Sequence, residues 1–310
     1  MSVVFAHTTV LLVEAVSALN IKPDGLYVDG TYGRGGHSAQ ILEQLNQEGR
    51  LLAIDKDPTA IEHAQAMYQG DQRFQAWHGS FRDFPQALQE LAWPRQIDGL
   101  LLDLGVSSPQ LDEAERGFSF MRDGALDMRM NPRAGLSAQE WLMQAEEKEI
   151  AQVLWLYGEE RFSRQIARAI VKARAVEALE STLQLADLIA KAVPKREPGK
   201  NPATRSFQAI RIKVNQELED LEVCLAAGLE HLNSGGRLSV ISFHSLEDRM
   251  VKHFMREHAT PPRLPKGLPI QAVDITPPLR LIGKGFRPSE VEVENNVRAR
   301  SATLRVAEKV

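Results

Sequence analysis

Gly25-Leu-Tyr-Val-Asp29-Gly-Thr-Tyr-Gly-Arg-Gly-Gly-His37 passes from a short apolar run into four glycines within seven residues. Read locally, this is a strand, a glycine loop and then a helix from about His37 to Gln47. Working outward, Arg50–Asp55 is a second strand that ends on a carboxylate. Asp57 and Pro58 then suit a helix start, with proline in the first turn. Phe74–His78 reads as a third strand. Ile97–Leu104, nearly unbroken in its apolar run, reads as a central strand buried on both faces. Alternating strands and helical patterns of this kind spell an α/β fold with a parallel sheet.

The glycine loop carries the first chemical signal. Glycines between a strand and a helix let the backbone approach a ligand near unpaired helix amides. A dinucleotide fingerprint fails here, because Ser38 stands where the third glycine belongs, and no Walker lysine is present. What remains is Asp29 at the end of the first strand, the loop, and Asp55 at the end of the second. A carboxylate in the second place can accept both hydroxyls of a ribose. One beside the loop repels a pyrophosphate but suits an ammonium or sulfonium, and S-adenosylmethionine has both. The plainer alternative, in which Asp29 caps the helix and Asp55 opens a turn, fits the same spacing.

The central strand ends in Asp103-Leu-Gly-Val-Ser107-Ser108-Pro-Gln110. The carboxyl end of a strand beside the cofactor strand is where open α/β sheets place their chemistry. An exocyclic base amine is a poor nucleophile, so an enzyme methylating one needs acceptors for its N–H protons. Asp103 and the carbonyls of the turn to Ser108 are candidates. An Asp-capped turn with two serines is the ordinary alternative.

From about Leu111 the strand patterns stop and helical spacing takes over. Ser137-Ala-Gln-Glu140 is a capping box. Ile150 to Tyr157, Phe162 to Ile170 and Leu185 to Ala192 follow helical periods, Pro194, Pro198 and Pro202 interrupt them, and Phe207 to Leu225 reads as one long helix. Strand signals return at Arg237–Phe243, Ser245 opens another helix, and Ala299–Ala307 is a last strand. The expected plan is a discontinuous sheet domain, residues 1–111 and 203–310, around an all-helical insertion at 112–202.

Composition narrows the class further. Hydrophobic residues at 43 % and charged residues at 25 % describe a soluble globular chain rather than a disordered one. A single cysteine, Cys224, excludes an intramolecular disulfide framework and thiolate metal sites. The eight histidines show no paired metal spacing, so no metal is expected, and His244 is left without a role. No secretory leader or membrane span is read, which points to the cytoplasm. A net charge of −4 does not announce a nucleic-acid binder, so any polyanion site must be local.

Six stretches taken in order carry a resemblance: His7–Leu12, Asp29–His37, Leu102–Gln110, Arg116–Phe120, Leu126–Arg129 and Ile241–Asp248. Together they make the whole chain closely similar to the bacterial RsmH family, also called MraW, of 16S ribosomal RNA cytosine-N4 methyltransferases. The resemblance implies a Rossmann-like class I S-adenosylmethionine-dependent methyltransferase sheet with an inserted helical domain for substrate recognition. It implies methyl transfer to the exocyclic N4 of one cytidine in the decoding region, with 16S rRNA or the small ribosomal subunit as partner. No membrane is involved, and monomer and homodimer both stay open. By position, the family's cofactor contacts fall on Gly35, Gly36, His37, Asp55, Phe81, Asp103 and Gln110; the loop adds Gly33 as a cofactor candidate, and the turn after the central strand gives Asp103, Ser107 and Ser108 as catalytic candidates. The chain departs from the usual Asp/Asn-Pro-Pro-aromatic motif of amino-group methyltransferases at Leu104-Gly105. Phe118, Phe120 or Trp141 could instead stack on the base, or simply anchor the insertion.

Two basic windows suit RNA. Arg161, Arg164, Arg168, Lys172 and Arg174 lie within 14 residues without an acid, although Glu160 could pair with Arg164. Lys195, Arg196, Lys200, Arg205, Arg211 and Lys213 form the second, against Glu197 alone. From these windows Arg164, Arg168, Lys172, Lys195, Arg196 and Lys200 are the RNA-binding candidates. Two readings compete: an NAD-dependent dehydrogenase, since Asp55 would serve its ribose equally, and a non-catalytic RNA-binding ribosome assembly factor.

Overall fold

The computed structural model describes residues 9–194, 199, 201–261 and 276–310. His7 and Thr8, and the basic candidates Lys195, Arg196 and Lys200, lie outside the described residues. In chain order the first part comprises α1 (Leu12–Leu19), β1 (Leu26–Asp29), α2 (Gly36–Leu42), β2 (Arg50–Asp55), α3 (Pro58–Met67), β3 (Phe74–His78), α4 (Phe84–Glu90) and β4 (Ile97–Asp103). Then come α5 (Ser108–Asp112), α6 (Ala138–Gln144), α7 (Glu147–Gly158), α8 (Ser163–Arg174), α9 (Thr182–Ala192) and α10 (Thr204–Asn215). The chain closes with α11 (Glu217–His231), β5 (Leu232–Ser242), α12 (Ser245–His258), β6 (Leu279–Phe286), α13 (Glu290–Asn295) and β7 (Thr303–Lys309).

Among the described residues the strands form one sheet in the order β3-β2-β1-β4-β5-β7-β6. β1 to β5 run parallel, and β7 is antiparallel to both β5 and β6. Side chains alternate across it because the strand period is two residues. Tyr27, Leu51, Ala53, Leu101 and Ile241 enter the core on one face. Val28, Leu52, Ile54, Leu100, Leu102 and Val240 enter a second core on the other face, against Phe84, Leu88, Leu221 and Val251. Burial on both faces is why these strands are continuous apolar runs. The chain steps outward from β1 to β3 and returns to β4 on the other side of β1, so the order reverses between β1 and β4. Such a switch point opens a crevice at the carboxyl ends of the two strands, which here carry Asp29 and Asp103.

The chain divides into two compact units, residues 1–105 with 219–310, and residues 106–218. The boundaries differ from the expected 111/112 and 202/203. The second differs most, for a local reason. The long helix expected from Phe207 to Leu225 breaks at Gln216, which takes a left-handed φ of 54°. α10 therefore ends there and packs on α7 as part of the helical unit. That unit has its own core, built around Leu142, Ile150, Leu154, Ile166, Ile170, Leu185, Ile189 and Ile210. The capping box at Ser137 forms as read, with Glu140 N–H donating to Ser137 Oγ and Ser137 N–H to Glu140 Oε2. β6 is an addition that the sequence did not suggest.

Candidate active site

The glycine loop is held by its own carboxylates. Asp29 is fully buried at the end of β1, where Oδ1 accepts the Thr31 N–H at 3.1 Å and Oδ2 accepts the Ser38 hydroxyl at 2.7 Å. Asp55, at the end of β2, accepts the Gly33 N–H on Oδ2 and the Asp57 N–H on Oδ1, both at 2.8 Å. Each carboxylate oxygen has further acceptor capacity, so Asp55 is still able to receive hydroxyl protons. Gly35 precedes α2 at φ 77°, a left-handed conformation that glycine adopts without strain. Gly36 is required by close packing: a Cβ there would lie 2.0 Å from Thr9 Oγ1.

Asp103 closes β4 across the crevice. Its backbone N–H donates to Thr31 Oγ1 at 2.6 Å, which ties the loop after β1 to the end of β4. His37, buried in the first turn of α2, places Nδ1 at 3.8 Å from Asp103 Oδ2. Asp103 Oδ1 is buried and finds no hydrogen-bond partner among the described residues. Glu247 completes the group at the start of α12, its Oε2 accepting the Phe243 and His244 N–H groups.

Acids crowded this way bind protons more tightly than free carboxylates do. Burial, opposed by the hydrogen bonds from Ser38 and Thr31, pushes Asp29 up to about 6. Burial also raises Asp55 to about 6, against the bonds from Asp57 and Gly33 and with the help of the Asp57 and Asp29 charges. Asp103 is raised well above the ordinary carboxylate range, by burial first and then by the charges of Asp29 and Glu247. A cation entering the crevice relieves this repulsion and an added anion worsens it. The orphaned Asp103 oxygen and the excess of acids thus fit a ligand bearing ammonium and sulfonium groups and reject a pyrophosphate.

The model of the MraW methylase family matches residues 4–310. The chain belongs to the MraW methylase family. The sheet is that of class I S-adenosylmethionine-dependent methyltransferases, and S-adenosylmethionine is the cofactor. Solved structures similar to it include a candidate rRNA methylase from Clostridium thermocellum, at 11 % identity and TM-score 0.45, covering 98 % of this chain and 100 % of that one. An rRNA methylase from Streptococcus thermophilus is similar at 9 % identity and TM-score 0.41, over 96 % of this chain and 93 % of that one. A candidate methyltransferase from Streptococcus mutans, in complex with SAH, is similar at 11 % identity and TM-score 0.43, over 98 % and 100 %. The family assignment rests on the sequence match.

Other candidates of this MraW chain fall into place around that core. Phe81 follows β3 in a short 3-10 turn and lies against the end of β1, where a Cβ on Gly30 would come within 2.8 Å of Phe81 Cβ. Asp220, nearly buried on α11, is a residue that sequence reasoning missed. It accepts the Ser80 hydroxyl at 2.6 Å and Arg82 Nη1 at 3.0 Å, and pairs with Lys56. It therefore clamps the segments that present Asp55 and Phe81. Glu247 was missed as well, and His244 gains a role: it, not Ser245, is the N-cap of α12, with Nδ1 accepting the Glu247 N–H. The buried Cys224 thiol, whose pKa burial raises, faces the Phe81 carbonyl at 3.5 Å.

In the helical unit Ser107 caps α5, and Gln110, nearly buried, accepts the Ser107 N–H through Oε1 at 3.0 Å while Ser108 begins the helix. The three aromatic candidates turn inward. Trp141 and Phe118 are each 7 % exposed, Trp141 Nε1 donates to Glu149, and Phe120 meets Phe207 edge-on at 4.8 Å. α8 buries Ser163, Ile166, Ala167 and Ile170 and turns Arg164, Arg168 and Lys172 to solvent, four residues apart on one face. Among these Arg168 alone has an acid nearby, Glu147 at 3.9 Å, and both partners are well exposed. The Glu160–Arg164 pair does not form, because Glu160 lies buried before the helix and accepts the Phe162 N–H. Arg174 is spent on the carbonyls of Leu142 and Ala145. In the second window Arg211 is held bidentately by Glu217 and Lys213 lies 3.6 Å from Glu149.

Proposed function

We propose that this methylase transfers the methyl group of S-adenosylmethionine to the exocyclic N4 of a specific cytidine in the decoding region of 16S rRNA. The observation that carries the reading is Asp103: a carboxylate at the switch point whose Oδ1 is buried without a hydrogen-bond partner among the described residues, and whose proton affinity is raised. Bound S-adenosylmethionine supplies an electrophilic methyl group. Asp103 accepts an N–H of the incoming amine, freeing its lone pair, and takes the proton that N4 must lose as the new N–C bond forms. Its raised pKa suits it to hold that proton, and His37 Nδ1 lies 3.8 Å from its other oxygen. Gly33, Gly35, Gly36 and His37 hold the aminoacid end of the cofactor, Asp55 the ribose and Phe81 the base. For Gln110 the reading rests on the family resemblance, and for Ser107 and Ser108 on the carbonyls of the turn after β4 as acceptors.

The helical unit, taken as residues 106–218, recognises the RNA, with Arg164, Arg168 and Lys172 of α8 meeting phosphates. Lys195, Arg196 and Lys200 are kept as RNA candidates on charge. The working partner is 16S rRNA or the small subunit in the cytoplasm, and the chain acts as monomer or homodimer. The test is mass-spectrometric mapping of cytidines in ribosomal RNA from a deletion strain, with and without complementation by this chain. One N4-methylcytidine should vanish and return. An unchanged cytidine profile refutes the base assignment, and an unchanged methylation profile of the whole RNA refutes the substrate.

A further inference from the structure

A groove of about 250 Å³ lies between α12 and the antiparallel edge of the sheet, lined by none of the site candidates named above. Lys252 and Arg256 line it from α12, Lys284 from β6 and Arg305 from β7. Arg305 is held by Asp248, with bonds of 2.7 and 3.0 Å, and among the described residues no acid lines the groove. Lys252, Arg256 and Lys284 make no ion pair among the described residues. Gly283 and Gly285 have φ values of 74° and 111°, and β6 leaves its ladder with β7 between Ile282 and Phe286. The Phe286 ring rests on Gly283, where a Cβ would come within 3.0 Å of Cζ, and stays 40 % exposed.

Three cations without an ion pair among the described residues, a bulged strand and an exposed aromatic ring beside the groove are the elements of a single-stranded nucleic-acid platform: charge for phosphates and a flat face for a base. The sheet register relates this platform to the active site. Phe286 is opposite Leu304, Leu304 opposite Ile241, and Ile241 opposite Asp103. Three strand spacings of roughly 4.8 Å put Phe286 about 14 Å from Asp103 along one row of the sheet, or about four stacked nucleotides at roughly 3.4 Å each.

We infer that the α12–β6 groove binds the RNA backbone flanking the target nucleotide, with Lys252, Arg256 and Lys284 on phosphates and Phe286 beneath an unpaired base. The inference rests on the rRNA reading above. Its test measures binding of a 16S rRNA fragment carrying the decoding region, at salt from about 50 to 200 mM, to the full chain and to Lys252→Gln/Arg256→Gln/Lys284→Gln. With about 0.7 counterions released per single-strand contact, the slope of log affinity against log salt should become shallower by about 2, or about 100-fold weaker binding near 0.1 M. The charge-conserving Lys252→Arg/Arg256→Lys/Lys284→Arg should restore both, and S-adenosylmethionine affinity should be unchanged in either variant. Parent-like slope and affinity in the Gln variant, while the parent binds RNA, overturn the groove alone. A parent that binds no rRNA overturns the rRNA reading and the groove together.

Discussion

At the carboxyl edge of the sheet, burial raises Asp29, Asp55 and Asp103 above the ordinary carboxylate range, helped at Asp55 by the charges of Asp57 and Asp29 and at Asp103 by those of Asp29 and Glu247. On α8, by contrast, Arg164, Arg168 and Lys172 stand in solvent. The two arrangements have different energetic meanings. Burying like charges is costly, so the acidic crevice persists only in a fold that gains from it, here through a cationic ligand. Exposed cations cost almost nothing, and their presence alone says little. What separates this face of α8 from other basic residues is the state of its partners: Arg174, Arg211 and Lys213 are engaged by carbonyls or acids, whereas Arg164 and Lys172 have no such partner among the described residues.

The strongest way to break this comparison is Asp103→Ala. If the acidic crevice does proton work, turnover should fall by about 10²–10⁴ while S-adenosylmethionine affinity falls much less. Equal losses in single-turnover rate and in calorimetric binding would reduce Asp103 to a cofactor contact. Next in size is the contrasting surface. Neutralising Arg164, Arg168 and Lys172 together should weaken RNA binding about 100-fold near 0.1 M salt and leave S-adenosylmethionine binding intact. A filter-binding isotherm identical to the parent's at every salt concentration would remove α8 from the RNA track.

A third outcome concerns protons. Asp29 and Asp55 rise from 3.8 to about 6 in the fold, so the folded chain binds protons more tightly than the unfolded one. Their contribution to stability is full below the unfolded value and is lost as pH rises through about 6. Ligand binding runs the other way, since a cation needs the ionised acids. Cofactor affinity should therefore drop about tenfold per pH unit below 6 for each acid that must ionise, with proton release on binding. Calorimetry in buffers of different ionisation enthalpy reads this directly. An affinity flat from about pH 5 to 8 would show that the crevice does not use its charge on the cofactor.

Much of the crevice was legible because its parts are local. β1, β2 and β4 are parallel strands buried on both faces, so their apolar runs announce them, and Asp29, Asp55 and Asp103 are marked by standing at strand ends. Glu247 and Asp220 were not legible, since their importance comes from contacts with residues far along the chain. β6 escaped notice because two glycines and exposed lysine and arginine interrupt any alternation. The break at Gln216 has no composition signal either, as the left-handed turn falls on a residue with no preference for it. The dehydrogenase alternative arose from Asp55 alone, a residue that either ribose would accept, and the family match over residues 4–310 decides between them.

The smallest expected effect tests where burial ends and recognition begins. Trp141 is the aromatic residue a sequence reader would most readily place under a splayed base, yet it is 7 % exposed and fixed by its indole N–H to Glu149 at 3.1 Å. Trp141→Phe keeps an aromatic face and removes that hydrogen bond together with part of the ring volume. A core role predicts a loss of about 1–2 kcal/mol in unfolding free energy, from the hydrogen bond and incomplete refilling of the space. It also predicts an unchanged Michaelis constant for RNA, because the buried ring never meets the substrate. Stacking on the base predicts the opposite pair: unchanged denaturant midpoint and a raised Michaelis constant. Since α8 packs into the same core through Ile166 and Ile170, a stability loss confined to unfolding would also show that this core carries the basic face without taking part in binding.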